Sequence, residues 1–312
     1  MFHRLLILWT LALATLLAGA LPATARCHLS LRDVSDVNWR GATGAGYGAF
    51  DGSSLAQSVT FTVENQSSSC AFFVGVVSRS SRDPNGRVLK NGGATLRYQV
   101  YRDNTLGTVL RDTPEAGSNE VLSGFITNKQ PVTMQFYLSI PPLQVVDPDH
   151  YDDQIELRVY EGTVAEPVLN DSQTLNFRAE VPMVGELSFN GGVFDNSARS
   201  TTLRFQPAQT GATGSVTLWA RSNAGYILSA ESQNGGVLRY TDPTVSDVIP
   251  YTLRVDGATV PLVQGPSYPV AARADATNAS GWQHQFDFTL GTVDMQEPGE
   301  YRDVVTVTMT KY

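Results

Sequence analysis

Apolar and polar residues alternate along this chain with a period of two, and no long run repeats at the helical spacing. The last stretch sets the pattern. After Pro298-Gly299, Val305, Val307 and Met309 alternate with threonines up to Thr310, which is the signature of a half-buried β-strand entered through a turn. The same pattern occurs once earlier, where Tyr151, Asp153, Ile155, Leu157 and Val159 match Tyr301, Asp303, Val305, Val307 and Met309 at a constant offset of 150 residues. The two copies lead into different sequence. The first runs on through residues 162–171 into another alternating strand, with Leu175, Phe177, Ala179 and Val181 on one face. The second is succeeded only by Lys311 and Tyr312. One half is therefore expected to hold a full set of strands and the other to stop one strand short.

Elsewhere the alternation predicts strands over residues 28–37, 58–63, 70–77, 95–101 and 132–140 in the first half. In the second half it predicts strands over residues 185–194, 201–205, 215–220, 251–256 and 282–290. The segment 70–77 is apolar on both faces and reads as a central strand. Asn234-Gly235-Gly236 echoes Asn91-Gly92-Gly93, and residues 251–256 echo residues 98–103. Two internal copies of short strands separated by turn signals predict an all-β protein. The expected architecture is two immunoglobulin-like β-sandwich domains: residues 26–182 complete, and residues 183–312 lacking the last strand. The short link around residues 182–185 reads as stiff.

The first 25 residues read as a secretory signal, with Arg4 in a basic start, an apolar run over 5–21 and Ala23-Thr24-Ala25 as a cleavage site. Export changes the meaning of Cys27 and Cys70, the only two cysteines. An oxidising compartment would close them into one disulfide, with two unpaired thiols as the alternative. The net charge of −8 disfavours nucleic acid and anionic lipid as partners.

Catalytic chemistry finds no foothold. His28, His150 and His284 lie outside any HExxH, HxH or nucleophile-elbow context, so neither an enzyme nor a cofactor is expected. Asp147, Asp149, Asp152 and Asp153 have the charge of a calcium loop but lack the glycine and glutamate spacing of an EF-hand. They read as solvated turn carboxylates with no metal, calcium being the alternative. Tyr151 and Tyr301 each open a late strand and read as tyrosine corners, with Asp153 and Asp303 bracing the same turns.

The closing pattern Gly299-Glu300-Tyr301-Arg302-Asp303-Val304-Val305-Thr306-Val307-Thr308-Met309 resembles the Gly-x-Tyr-x-Asp-x-Val-x-Val-x-Val ending of the spore coat protein U domain family. The tyrosine-to-aspartate pieces at 98–103 and 251–256 and the early cysteine pair support the resemblance. It is closer over the second half than the first, where Pro148-Asp149-His150 replaces Pro-Gly-x, and the second half lacks the family's cysteine pair. The family includes secreted bacterial proteins and subunits of archaic chaperone–usher pili. The resemblance implies a domain held by a periplasmic chaperone, passed to an outer-membrane usher, and completed by the donor strand of an adjacent pilin subunit. Ordinary pilins carry a donor extension before the first cysteine, whereas only Arg26 stands between the expected cleavage site and Cys27. That implies a two-domain tip adhesin that accepts a strand and gives none, at the pilus tip of a Gram-negative cell. The alternative is a secreted structural coat or matrix protein with two such domains. A carbohydrate-active enzyme would need paired carboxylates facing a cleft.

An adhesin's contact surface is expected on loops at the end of the first domain far from the link. Three segments there are apolar and poor in charge: Trp39, Tyr47 and Phe50 among glycines; Leu122 and Phe125; and Pro142, Leu143, Val145 and Val146. As an exposed patch they would bind hydrophobic or abiotic surfaces and promote biofilm formation rather than take one glycan. The alternative is that they anchor loops into the sandwich.

Overall fold

The computed structural model describes residues 26–53, 55–195 and 199–312; the expected signal, residues 1–25, lies outside them. In the first half the alternating segments form β1 (Leu29–Arg32), β2 (Val37–Trp39), β3 (Gln57–Asn65), β4 (Cys70–Ser78), β5 (Val88–Asn91), β6 (Ala94–Arg97), β7 (Gln99–Tyr101), β8 (Leu122–Ile126), β9 (Val132–Ser139), β10 (Asp149–Thr163) and β11 (Glu166–Val181). One sheet runs β1-β3-β9-β7 and the facing sheet β2-β11-β10-β4-β8, with the β5–β6 hairpin beside the start of β10. Inward positions of both sheets form one continuous core. Phe61 of β3, Val74 of β4, Leu157 of β10 and Phe177 of β11 are all sealed from solvent.

The apolar run of β4 is explained by its place between β10 and β8. Phe72, Val74 and Val76 face the core. Phe73 points the other way and stacks on Tyr160 at 4.8 Å, under a loop that contributes Ala116 and Val121. Cys27, just ahead of β1, and Cys70, at the start of β4, form a disulfide across 43 residues. Because β1 and β4 belong to facing sheets, the bridge ties the two layers together rather than two neighbouring strands.

The second half contains β12 (Gly185–Ser188), β13 (Thr213–Ser222), β14 (Tyr226–Ser232), β15 (Val237–Tyr240), β16 (Val248–Val255), β17 (Ala258–Val260), β18 (Tyr268–Arg273), β19 (Trp282–Leu290), β20 (Tyr301–Arg302) and β21 (Val305–Lys311). One sheet runs β12-β13-β19-β16-β15-β20, with β17 on β16, and the other β18-β14-β21. The protein is thus all-β, two immunoglobulin-like sandwiches in series. In the first half the expected strands 28–37 and 95–101 each split, β1 and β7 going to one sheet and β2 and β6 to the other, and in the second half two expected strands fall short. Pairing in the first ends at Ser188 instead of running to residue 194. Residues 201–205 form no strand: Leu203 and Phe205 close instead over Gly214, where a Cβ would stand 2.9 Å from a Leu203 methyl. Their apolar side chains are used in packing without a ladder partner.

The sandwiches meet at residues 182–184. The Asn223 side chain donates to the Pro182 carbonyl at 3.0 Å and accepts from the Val184 N–H at 2.7 Å. The Arg221 guanidinium lies over the rings of Phe50 and Phe194, at 4.6 and 4.2 Å.

A 43-residue closed loop restricts the unfolded chain by about 4 kcal/mol. Cys70→Ser is therefore expected to lower the stability of the first sandwich by about that amount and to leave the unfolding of the second unchanged, as followed by denaturant unfolding of the full chain. Thiol titration of the unfolded, unreduced wild-type protein should find no reactive thiol; two would remove the bridge.

Candidate functional site

Each sandwich carries the same polar lock at the head of its late strand. Tyr151 donates its hydroxyl to the Asp147 carbonyl at 2.9 Å, and Tyr301 donates to Glu297 at 2.8 Å, each four residues back. Asp153 accepts from the Ser78 and Ser80 hydroxyls at 2.5 and 2.7 Å, from the Ser80 N–H at 3.1 Å and from the Tyr98 hydroxyl at 2.7 Å. Asp303 accepts from the Ser232 hydroxyl at 2.6 Å, the Asn234 N–H at 3.0 Å and the Tyr251 hydroxyl at 2.5 Å. Burial and then the adjacent carboxylate push the phenols of Tyr98 and Tyr251 well above the ordinary range. These carboxylates are consumed by structural hydrogen bonds. Asp149 caps the His150 N–H at 2.7 Å, and among the described residues no group of three or more His, Cys, Asp or Glu could hold a metal ion.

Beyond the lock the two halves diverge. Ile155, Leu157 and Val159 of β10 are fully buried, with β4 on one side and β11 on the other. Their counterparts Val305, Val307 and Met309 are only half-buried. β21 pairs with β14, from Ser232↔Val305 to Tyr226↔Lys311, and among the described residues no strand pairs with its other edge. The core is interrupted at the same place. One buried cluster gathers Leu218, Leu228, Leu253 and Phe286, a second Ile249, Tyr251 and Leu290, and Leu262, Phe288 and Val305 border both. An open cleft of about 220 Å³ lies beside the second cluster, lined by Ile249, Val293, Met295, Gly299 and Tyr301.

The three loops expected to bind a surface are placed differently from the expectation. Trp39 is 6% exposed and Tyr47 4%. Trp39 meets Phe177 edge-on at 6.4 Å. Tyr47 takes the Glu180 carbonyl with its N–H at 2.7 Å and the Pro141 carbonyl with its hydroxyl at 2.9 Å. The glycines between them cause this. At Gly46, φ is +105° and a Cβ would sit 2.3 Å from the Glu180 oxygen, so the loop folds back and carries both rings inward. Leu122 is buried opposite Val74. Trp39, Tyr47 and Leu122 are therefore core residues, not a contact surface.

The loops holding Phe50, Pro142, Leu143, Val145 and Val146 adjoin the last residues of β11, at the end next to the link. Phe50 packs on Arg221 there, and Val146 offers its carbonyl to Asn223 at 3.4 Å. Leu143 is half-exposed and the other four are partly covered. Of the nine residues, Phe125 alone lies at the far end with an exposed side chain, 64% accessible.

Strand register supplies the rest of that end. Cross-strand partners share a face. The pairs Ala71↔Phe125, Phe73↔Tyr160, Tyr160↔Leu169 and Gly162↔Pro167 therefore put Phe125, Ala71, Pro167 and Leu169 on one outer face. Leu169 is 54% exposed, and Ala71 and Pro167 are exposed as well. Below them lies the Phe73–Tyr160 stack, with Val164 packed against it. The apolar run Pro167-Val168-Leu169 was the available signal, lying within residues 162–171, for which the alternation predicts no strand.

The family model described as the Spore Coat Protein U domain matches residues 14–158. The match falls on the first half, whereas the closing motif resembles the family more in the second. Among solved structures, the chain is similar to a chain of the CsuC–CsuE chaperone–tip adhesion subunit pre-assembly complex of archaic chaperone–usher Csu pili from Acinetobacter baumannii, at 13% identity and TM-score 0.45, covering 91% of this chain and 100% of that one. It is similar to the CupB6 tip adhesin of Pseudomonas aeruginosa, at 11% identity and TM-score 0.38, covering 92% and 94%. It is also similar to CfaE, the adhesive subunit of CFA/I fimbria of enterotoxigenic Escherichia coli, at 14% identity and TM-score 0.32, covering 91% and 81%. No curated protein matches it.

Core and surface positions separate by stability. Trp39→Ser and Leu122→Ser each remove a buried side chain and are expected to cost about 3 kcal/mol or more. Phe125→Ser and Leu169→Ser should stay within about 0.5 kcal/mol of wild type. Thermal unfolding of the first sandwich measures both; equal losses would place Phe125 and Leu169 in the core.

Proposed function

We propose that this chain, which carries a Spore Coat Protein U domain over residues 14–158, is the tip adhesin of an archaic chaperone–usher pilus. One observation carries the reading: the same strand pattern is sealed by β11 in the first sandwich and left half-covered along β21 in the second. An open edge next to exposed core is an aggregation template. Such an edge makes sense in a subunit that a periplasmic chaperone shields, that an outer-membrane usher receives, and that an adjacent pilin then completes with a strand of its own. The first sandwich, complete and stapled by Cys27–Cys70, is free to act as the binding head. A coat or matrix protein gives no reason to keep that edge open.

The head binds through Phe125, Leu169, Pro167 and Ala71 at its far end. These exposed side chains are apolar, so the surface suits apolar and abiotic substrates rather than a glycan. Fully burying a side chain the size of Phe or Leu contributes about 1.5–3 kcal/mol. One such contact is weak, and many pili on one cell make it strong through multivalency. Attachment of this kind starts a biofilm.

Cells displaying pili with the double change Phe125→Ser and Leu169→Ser should lose attachment to plastic while pilus number and length stay unchanged. Normal attachment would move the binding surface elsewhere. Separately, the full chain expressed in the periplasm should accumulate in soluble form only with its chaperone; soluble, monomeric protein without one would argue against strand acceptance.

A further inference from the structure

We infer that the edge running from residue 299 through β20 to the start of β21 takes an antiparallel strand from a separate subunit whose inward side chains keep the order of β11: aliphatic, large aromatic, small, aliphatic. This rests on the strand-accepting reading above and specifies which strand fits. The internal repeat is the guide. In the first sandwich Leu175 lies opposite Ile155, Phe177 opposite Asp153, Ala179 opposite Tyr151 and Val181 opposite Asp149. All four are fully or almost fully buried. At the 150-residue offset their places fall opposite Val305, Asp303, Tyr301 and Gly299.

Each place in the second sandwich keeps the shape that its counterpart fills. Opposite Val305 two core clusters share Leu262 and Phe288 as partly buried borders, and a Leu-sized side chain would cover both. Opposite Asp303 the deciding group is Tyr251. Its counterpart Tyr98 bonds Asp153 and turns its ring edge to Phe177 at 5.1 Å. Tyr251 bonds Asp303 in the same way at 2.5 Å and has Phe288 beside it at 5.8 Å. An incoming aromatic therefore finds the same edge-on partner, a contact that contributes about 0.5–1.5 kcal/mol beyond area burial.

Opposite Tyr301 the corner bond holds the ring across the strand end, and Tyr240 closes on it edge-on at 5.1 Å. Tyr151 is held by the same bond, and Ala179 is the residue that fits beside it. Only a small side chain suits this place. Opposite Gly299 lies the open cleft of about 220 Å³ lined by Ile249, Val293 and Met295. That is room for the branched side chain that Val181 supplies in the first sandwich.

Three nine-residue peptides test the order, each added to full-length protein released from its chaperone, with labelled-peptide anisotropy and the thermal midpoint as readouts. One copies residues 173–181. The second exchanges the Phe and Ala places at unchanged composition. The third puts Asn at the Leu, Phe and Val places. The first should bind and raise the midpoint, the second should bind at least about tenfold more weakly, a difference of about 1.4 kcal/mol, and the third should not bind. Equal binding by the first two would overturn the order while leaving strand acceptance intact. Failure of all three to bind, or equal binding by the Asn peptide, would overturn strand acceptance itself.

Discussion

A strand whose apolar face is half-covered and whose edge is unpaired leaves both core and ladder open to other chains, and this chain holds one strand pattern in both the covered and the uncovered state. β10 has β4 and β11 as neighbours and the facing sheet above it, so Ile155, Leu157 and Val159 are sealed. Among the described residues β21 has β14 alone, and Val305, Val307 and Met309 stay half-covered. The difference spreads outward. Covered, the first core is continuous; uncovered, the second separates into clusters that meet only through shared border residues. Four β11 side chains, Leu175, Phe177, Ala179 and Val181, cover the stretch opposite residues 149–155, and β1 lies against β10 and β11 as well.

The polar lock explains why the open sandwich still holds its shape. Asp303 draws the end of β14, the loop after it and β16 onto the head of β21 through Ser232, Asn234 and Tyr251, and the corner bond of Tyr301 fixes the approach. None of these bonds uses the free edge of β21. The late strand is thus positioned without a cover, and on the proposed reading a covering strand need not reorganise it. Preorganisation of this kind lowers the ordering cost of association. It also keeps unpaired backbone groups on display, so the same feature is a hazard until the edge is closed.

Much of this was legible in the alternation. The period of two, the offset of 150 residues and the two cysteines led to paired sandwiches, to the unequal last strands and to the Cys27–Cys70 bridge. The loops were not legible, because a loop has no period to say which way a side chain points. Trp39 and Tyr47 among glycines read equally as an exposed patch or as anchors, and the fold-back at Gly46 decided for the interior. β14 escaped notice because Ala230 and Ser232 occupy inward positions where larger apolar residues would have marked the alternation. The face shared by Phe125 and Leu169 depends on how far β10 and β11 extend into residues 160–171, and on a register shift after Val159. Local sequence encodes neither in a readable period.

The two apolar surfaces differ in kind, which is why one can stay bare and the other cannot. At the far end of the first sandwich the exposed groups are side chains, Phe125 on the edge strand β8 and Leu169 on β11, each beside one paired neighbour, as Ala71↔Phe125 and Tyr160↔Leu169 show. On the proposed reading such a patch gains by touching any apolar surface, because side chains rather than a strand register make the contact. Along β21 the exposed groups include the backbone itself, and only a strand satisfies both the N–H and C=O row and the half-buried side chains beneath it. The first surface is tolerant of its contacts. The second is selective, because hydrogen-bond register fixes which side chain enters which place, and a slip of one residue would turn every apolar group outward.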